Sequence, residues 1–173
     1  MTRFLAGIAC AALGCVALQA QDNPLSAETK GYYNMVKNDI LKSAQKMPEE
    51  NYSFRPTPEV RSFGQLIAHV ADSQYEFCAP VKGEQKSSDV EKTVTGKAEL
   101  IAALKTGFAY CDEAYNALTD AHAADKIKFM GGNRTKLETL NFNTMHSDEH
   151  YGNIVTYLRM KGLVPPSSET SGR

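Results

Sequence analysis

The chain has 173 residues, of which 42% are hydrophobic and 23% are charged, and its formal net charge at pH 7 is −1. Because lysine and arginine nowhere form a run, this composition argues against a protein that binds nucleic acid or an anionic membrane surface. After the first twenty residues, no stretch approaches the roughly 18 consecutive apolar residues that a membrane span needs. The remainder is long enough for one domain with its own hydrophobic core.

The N-terminal segment has the layout of a secretory signal peptide. Arg3 provides a short basic start, residues 4–18 are largely apolar, and Ala20 precedes a polar pair. We therefore predict that residues 1–20 direct export, to the periplasm or as a secreted protein, and are then removed. Residues 21–173 would form the mature domain.

Four amphipathic helices are predicted in the mature domain, and no segment shows a convincing strand pattern. The first helix covers residues 26–47, where apolar side chains recur at three- and four-residue spacing. Ser26 is a possible N-terminal cap, and Pro48 with the polar residues after it ends the helix.

The second predicted helix carries a histidine. It begins at Thr57 or at Ser62 and ends just before Pro80, and His69 lies at the edge of its apolar stripe. We expect the His69 side chain to face the interior of a helix bundle or its rim. Residues 81–95 are polar and charged, and they predict a connection long enough to cross from one end of a bundle to the other.

Two more helices complete the predicted fold. The third covers residues 97–119, and the glycine pair at 131–132 marks a turn after it. Thr135 and Glu138 form a capping-box pattern that opens the fourth helix, which is predicted to end at Gly162. Four long helices and one long crossover connection predict an all-α fold, a four-helix bundle.

Two cysteines remain in the mature domain after removal of the signal peptide. Cys78 and Cys111 both fall on apolar faces of predicted helices. In an oxidising compartment they form either one disulfide or two buried thiols, and the sequence leaves both alternatives open. Cys15, within the signal segment, is an alternative site of lipidation that would anchor the protein to a membrane.

A candidate metal site follows from the spacing of three histidines. His146 and His150 are four residues apart in a predicted helix, so both imidazoles lie on one face. With His69 they could supply three neutral nitrogen ligands to a divalent ion, zinc or nickel, and leave a position open for water or substrate. Water on such an ion becomes a nucleophile near neutral pH, which is typical of a catalytic site.

Each candidate residue also has a plainer interpretation. His69 alone fits a hydrogen-bonded histidine at the core edge, and His122 is predicted to be a solvated loop residue. Residues 146–150 match the H-x-x-E-H motif, in which Glu149 would be a general base, and a solvated helix glutamate is the alternative. A peptidase of this type needs a third ligand downstream. Only Glu169 follows, so a peptidase is not favoured.

Two blocks of sequence resemble a known family. Residues 54–69 and especially 150–166 are similar to the DinB-like (DinB/YfiT) superfamily, and the likeness covers nearly all of the mature domain. The resemblance implies a four-helix bundle of the DinB/YfiT type and a divalent metal held by three histidines. On this chain the three positions fall on His69, His146 and His150.

Positions around the histidines depart from the family pattern. Ser147, Glu149, Tyr151 and Asn153 stand where the family commonly has glutamate, histidine, arginine and glutamine. The family includes transferases and isomerases that use low-molecular-weight thiols, and metal-dependent hydrolases. Those thiols belong to the cytoplasm and this chain carries an export signal, which argues against a thiol transferase and leaves a hydrolytic or an unknown reaction.

The sequence therefore predicts an exported, divalent-metal-binding enzyme in which Glu149 assists a bound water. Its substrate is expected to be a small molecule, whose chemistry the sequence does not specify. A non-catalytic protein that binds a metal or small ligand, a thiol-dependent S-transferase and a purely structural bundle are the alternatives. Dimers are common in the family, so a homodimer is compatible with the resemblance.

Overall fold

The computed structural model describes residues 23–169, so the predicted signal peptide and its cleavage point lie outside the described residues. Along the chain, the helices and strands are α1 (Pro24–Lys46), α2 (Phe63–Lys82), α3 (Val90–Thr93), α4 (Lys97–Ala117), β1 (Lys126–Phe129), β2 (Gly132–Thr135) and α5 (Lys136–Met160). Single 3-10 turns lie at Glu49–Asn51, Asp120–His122 and Pro166–Ser168. Within residues 23–169 no helix combines the length and the apolar character needed to cross a bilayer.

The four long helices form a bundle in which α1 and α2 each pack against both α4 and α5. Gly64 lies against Leu100, and a Cβ atom at Gly107 would be only 2.7 Å from the Ala71 carbonyl oxygen, so α2 and α4 run parallel in close contact. Two successive long helices can be parallel only if residues 83–96 return along the length of the bundle. The predicted all-α four-helix bundle with a long crossover connection is confirmed.

A disulfide joins α2 to α4 within the core. Cys78 and Cys111 are fully buried, their Cα atoms are 5.3 Å apart, and 33 positions separate them in the sequence. Of the two alternatives that the sequence left open, the structure contains the disulfide. The largest fully buried side chains of the core are Tyr33, Phe63, Phe77, Phe108, Ile40, Met47, Ile67, Leu100, Leu104, Leu140, Ile154 and Leu158.

A β-hairpin between α4 and α5 corrects the expectation that the domain has no strands. Strands β1 and β2 pair antiparallel, with Phe129 opposite Gly132. Met130 and Gly131 form the turn with positive φ angles, so the predicted turn at the glycine pair is confirmed. The strands escaped prediction because four residues give too few alternations to reveal a period of two.

One of the two predicted starts of α2 is confirmed, and its predicted end is wrong. Ser62 is its N-cap, the later of the two predicted starts, and it forms a complete capping box with Gln65. The predicted end before Pro80 is wrong, since the helix continues to Lys82 and ends at Gly83, whose φ is 74°. A proline in the last turn removes only one helical hydrogen bond, and the left-handed glycine then ends the helix.

Capping of the other helices also differs in part from the prediction. Ser26 does not cap α1, because its backbone N–H and its hydroxyl both donate to Asp120 Oδ1, at 2.8 and 2.7 Å. Asp120 is 94 residues away, outside any local capping pattern. Thr135 caps α5 as predicted, because its hydroxyl accepts from the Glu138 N–H. The Glu138 carboxylate does not complete the capping box by accepting from the Thr135 N–H, and instead it accepts from Arg134.

We expect the disulfide to contribute about 3 to 4 kcal/mol to the free energy of unfolding, because it restricts the unfolded chain. Replacing both cysteines, Cys78→Ala with Cys111→Ala, should lower the urea midpoint, and reduction of the wild-type protein should have a similar effect. Urea unfolding followed by circular dichroism measures both. An unfolding free energy that neither treatment changes would contradict the expected contribution.

Candidate metal centre

The three predicted histidine ligands converge between two helices. His69 lies on α2, and His146 and His150 lie one turn apart on α5. The Nε2 atom of His146 is 3.3 Å from the Nε2 of His69 and 3.1 Å from the Nε2 of His150. One ring nitrogen from each histidine lies within 4.8 Å of the other two. The structure therefore brings together all three residues named from the sequence.

This donor set fits a divalent metal ion. Metal–nitrogen bonds of about 2.0–2.1 Å in a tetrahedral site place two ligand nitrogens about 3.3 Å apart. The two Nε2–Nε2 distances of 3.1 and 3.3 Å match that separation. Among residues 23–169, no other group of three or more histidine, cysteine or carboxylate side chains converges in this way. The three histidines could hold one metal ion.

Burial keeps the imidazoles of His146 and His150 uncharged. His150 has only 8% of its surface exposed, and His146 and His69 are half-buried. Desolvation is the main cause that lowers the pKa of His146 and of His150 to about 4, and the neighbouring histidines and the Arg61 charge act in the same direction. At neutral pH both rings are neutral and offer a lone pair, the form in which histidine binds metal.

Aromatic rings from α2, α5 and the hairpin enclose one side of the site. The ring centroid of Phe77 is 5.0 Å from that of His146, 5.6 Å from that of Phe129 and 5.5 Å from that of Phe142. These rings exclude water from one side of His146, which contributes to its lowered pKa. The hairpin that the sequence analysis missed therefore packs behind the ring that covers His146.

The crossover connection brings an acidic side chain to the site. Glu91, on the one-turn helix α3, contacts His69 Nδ1 through Oε2 at 3.2 Å and accepts from Arg61 Nε through Oε1 at 2.8 Å. Asp72 of α2 accepts from the backbone N–H groups of Val90 and Glu91, both at 2.9 Å. Sequence reasoning missed these residues because their partners lie 18 to 30 positions away, and no local pattern joins them.

A buried polar network joins α2 to α5 beside the histidines. Gln74 and Asn143 have no exposed surface, and Asn143 Nδ2 donates to Gln74 Oε1 at 3.2 Å. Asn143 also donates to the Tyr115 hydroxyl at 3.1 Å, and Gln74 donates to the Ser147 hydroxyl at 3.4 Å. Ser147, one of the departures from the family pattern, is therefore an interior residue of this network.

An open cleft of about 720 Å³ adjoins His150. Glu149, the predicted general base, is exposed and lines this cleft with His150. The described residues that line the cleft are Pro56, Thr57, Glu59, Val60, Arg61, Leu66, Glu91, Glu149, His150, Asn153, Thr156 and Tyr157. Arg61 is the only lysine or arginine among them. A small molecule in the cleft can therefore reach His150, Glu91 and Glu149.

Two other residues considered from the sequence lie away from this site. The side chain of His122 is 65% exposed, and its Nδ1 is 3.0 Å from Asp125 Oδ2, so its prediction as a solvated loop residue is confirmed. Glu169, the only carboxylate downstream of the histidine pair, forms an ion pair with Lys46. Neither residue belongs to the converging group.

Comparison with known proteins identifies the family. The sequence profile of the DinB superfamily matches residues 33–154, more than half of the chain. The chain belongs to the DinB superfamily. The resemblance seen in the sequence is thereby confirmed, and the matched region of this DinB-superfamily protein includes His69, His146 and His150.

Several solved structures share the DinB fold of this chain. A DinB-like protein from Bacillus cereus ATCC 10987 gives a TM-score of 0.69 at 15% identity, with 82% of this chain and 93% of that chain covered. A DinB-like protein from Bacillus subtilis gives a TM-score of 0.66 at 20% identity, with 83% of this chain and 99% of that chain covered. A mycothiol-dependent maleylpyruvate isomerase gives a TM-score of 0.58 at 15% identity, with 75% of this chain and 60% of that chain covered. At these identities the similarity shows the fold alone. No curated protein sequence matches the chain.

We expect this DinB-superfamily protein, purified without a histidine tag, to bind about one divalent ion per chain, because three ligand nitrogens converge at one point. His146→Ala and His150→Ala should each lose the ion, and His122→Ala, which removes a histidine outside the site, should retain it. Elemental analysis by mass spectrometry measures the content. Retention of the ion by both His146→Ala and His150→Ala would exclude these histidines as ligands.

Proposed function

We propose that this protein is a metal-dependent enzyme of hydrolase type, in which His69, His146 and His150 bind one divalent ion beside a cleft that receives a small molecule. The supporting observation is the convergence of three imidazole nitrogens within 4.8 Å, with His150 at the wall of an open cleft. Structural zinc sites normally have four protein ligands, whereas three protein ligands leave a position for a reactant.

Zinc or nickel suits this set of ligands. Both ions bind imidazole nitrogen well, and the converging atoms include no thiolate and no carboxylate oxygen. The chemistry that such an ion supplies when bound is Lewis-acid activation of water or of a polar group of the substrate. The remaining functions fall to side chains of the cleft.

Two charged side chains of the cleft have roles in the proposed reaction. Glu149 is exposed on α5 beside His150, and its carboxylate can accept a proton from a water molecule in the cleft. Arg61 uses Nε for Glu91, so its two terminal nitrogens can donate to an oxygen atom of the substrate. In this proposal Glu149 is the general base and Arg61 orients the substrate.

We further propose that the reaction takes place outside the cytoplasm. The disulfide between Cys78 and Cys111 supports this location, because disulfides persist in oxidising compartments and are rare in the cytosol. The signal-peptide layout of residues 1–20 is a second support. A hydrolase needs only water as its second substrate, which is present in any compartment.

A thiol-dependent transferase is the second candidate function. One observation favours it, namely the fold that this chain shares with a mycothiol-dependent maleylpyruvate isomerase. A thiolate is a good ligand for zinc or nickel, and the three histidines leave room for one more ligand. A non-catalytic protein that binds a metal or a small ligand is the third candidate.

We expect Glu149→Gln to lower kcat by about 100- to 10,000-fold, because the amide cannot accept the proton that a general base takes. The metal content should not change, since Glu149 is not part of the converging group. Asp148→Asn is the matched control, because Asp148 is exposed at the preceding position and does not line the cleft. The measurement is turnover of a panel of esters, amides and thiol conjugates by the zinc- or nickel-loaded protein.

The same panel separates the three candidate functions. Turnover that requires an added low-molecular-weight thiol favours the transferase, and tight metal binding without any turnover favours the binding protein. Metal-dependent hydrolysis that Glu149→Gln leaves unchanged would exclude Glu149 as the general base.

A further inference from the structure

The three candidate ligands differ in what contacts Nδ1, the ring nitrogen that takes no part in the Nε2–Nε2 contacts. His69 Nδ1 is 3.2 Å from Glu91 Oε2. The Nδ1 atoms of His146 and His150 are buried and have no hydrogen-bond partner among the described residues. Within residues 23–169, His69 is therefore the only one of the three whose second ring nitrogen is held by a hydrogen bond.

We propose that Glu91 is a positioning residue for His69 and that Asp72 holds Glu91 in place, so that the crossover connection is part of the metal site. This inference rests on the proposed function, because it concerns His69 as a ligand. An ionised carboxylate only accepts hydrogen bonds, so the contact with Glu91 requires a proton on His69 Nδ1, and in this tautomer the lone pair is on Nε2. Nε2 is the atom that lies 3.3 Å from His146 Nε2.

Glu91 orients His69 without being a ligand itself. Its Oε2 contacts the ring nitrogen that does not face His146, and its Oε1 accepts from Arg61 Nε at 2.8 Å. The converging group consists of the three histidines alone. Oε2 of Glu91 therefore contacts the ring, while Oε1 is bound by Arg61. A carboxylate on the second ring nitrogen fixes the tautomer of a ligating histidine and increases its basicity.

Asp72 is required because the segment that carries Glu91 has little structure of its own. Helix α3 is a single turn of four residues, none of them buried. The side chain of its N-cap residue, Asp89, makes no capping hydrogen bond. An isolated helical turn is unstable in water, because the ordering of its backbone costs more than its first hydrogen bonds contribute. Asp72 binds the N–H groups of Val90 and Glu91 and so attaches this turn to α2, one helical turn after His69.

Metal affinity and the tautomer of His69 together test the proposal. We expect Glu91→Ala to weaken Zn²⁺ binding by about 10- to 100-fold in calorimetric titrations of the purified protein. Glu91→Gln should fall between wild type and Glu91→Ala, since its amide oxygen can replace only one of the two carboxylate acceptors. In nitrogen-15 NMR spectra of the metal-free protein, His69 should carry its proton on Nδ1, and Glu91→Ala should remove this preference. Glu76→Ala, at an exposed position of α2, is the matched control and should change neither quantity.

Asp72→Ala tests the second part of the proposal. It should reproduce the weaker Zn²⁺ binding of Glu91→Ala, because the turn that presents Glu91 is then no longer attached to α2. The double variant should bind Zn²⁺ no more weakly than Glu91→Ala alone, since Asp72 acts on the site only through Glu91. Additive losses would overturn this part. Unfolding curves of each variant show whether the bundle itself is intact.

The outcomes distinguish this inference from the proposed function. If wild type and Glu91→Ala bind Zn²⁺ equally well and the tautomer is unchanged, the positioning role is overturned while the metal site stands. If wild type binds no divalent ion, the proposed function fails. In that case a His69 proton that stays on Nδ1 in Glu91→Ala would also overturn the positioning role.

Discussion

The site depends on the register between α2 and α5. Gln74 and Asn143 are fully buried and joined by a hydrogen bond across the two helices. Loss of this bond would leave Gln74 Oε1 without its donor in the core, at a cost of about 1–3 kcal/mol, so a shift of one helix along the other is disfavoured. Because the helices are antiparallel, this pair places His69, which precedes Gln74, opposite His146, which follows Asn143. A polar contact inside the core therefore positions the three histidines.

Two segments outside the bundle complete the surroundings of the histidines. The hairpin places Phe129 on Phe77, whose ring lies against His146, and the crossover connection places Glu91 on His69. The hairpin contributes an apolar ring that helps exclude water, and the crossover connection contributes a carboxylate that contacts a ring nitrogen. The three histidines therefore have different environments: Phe77 covers His146, Glu91 contacts His69, and His150 faces the open cleft.

Helix topology connects the crossover to the site. Because α2 and α4 are parallel, the chain between them must return along the bundle, and this path brings α3 beside Asp72 and His69. Gly107 permits the close approach of the two parallel helices, and the disulfide joins them covalently. A bundle with only short connections between antiparallel neighbours would have no segment at this position.

The sequence by itself determined the helices and the identity of the candidate ligands. Apolar spacing of three and four residues predicted four long helices, and the four-residue interval put His146 and His150 on one face, because both are properties of a single helix. Tertiary structure decided that His69 meets this pair and that Glu91 holds His69. Those partners are 77 and 22 positions apart, and packing and topology, which no local pattern encodes, set such distances. The hairpin at 126–135 was missed because its strands are too short to show a period, and only its packing against the bundle stabilises it.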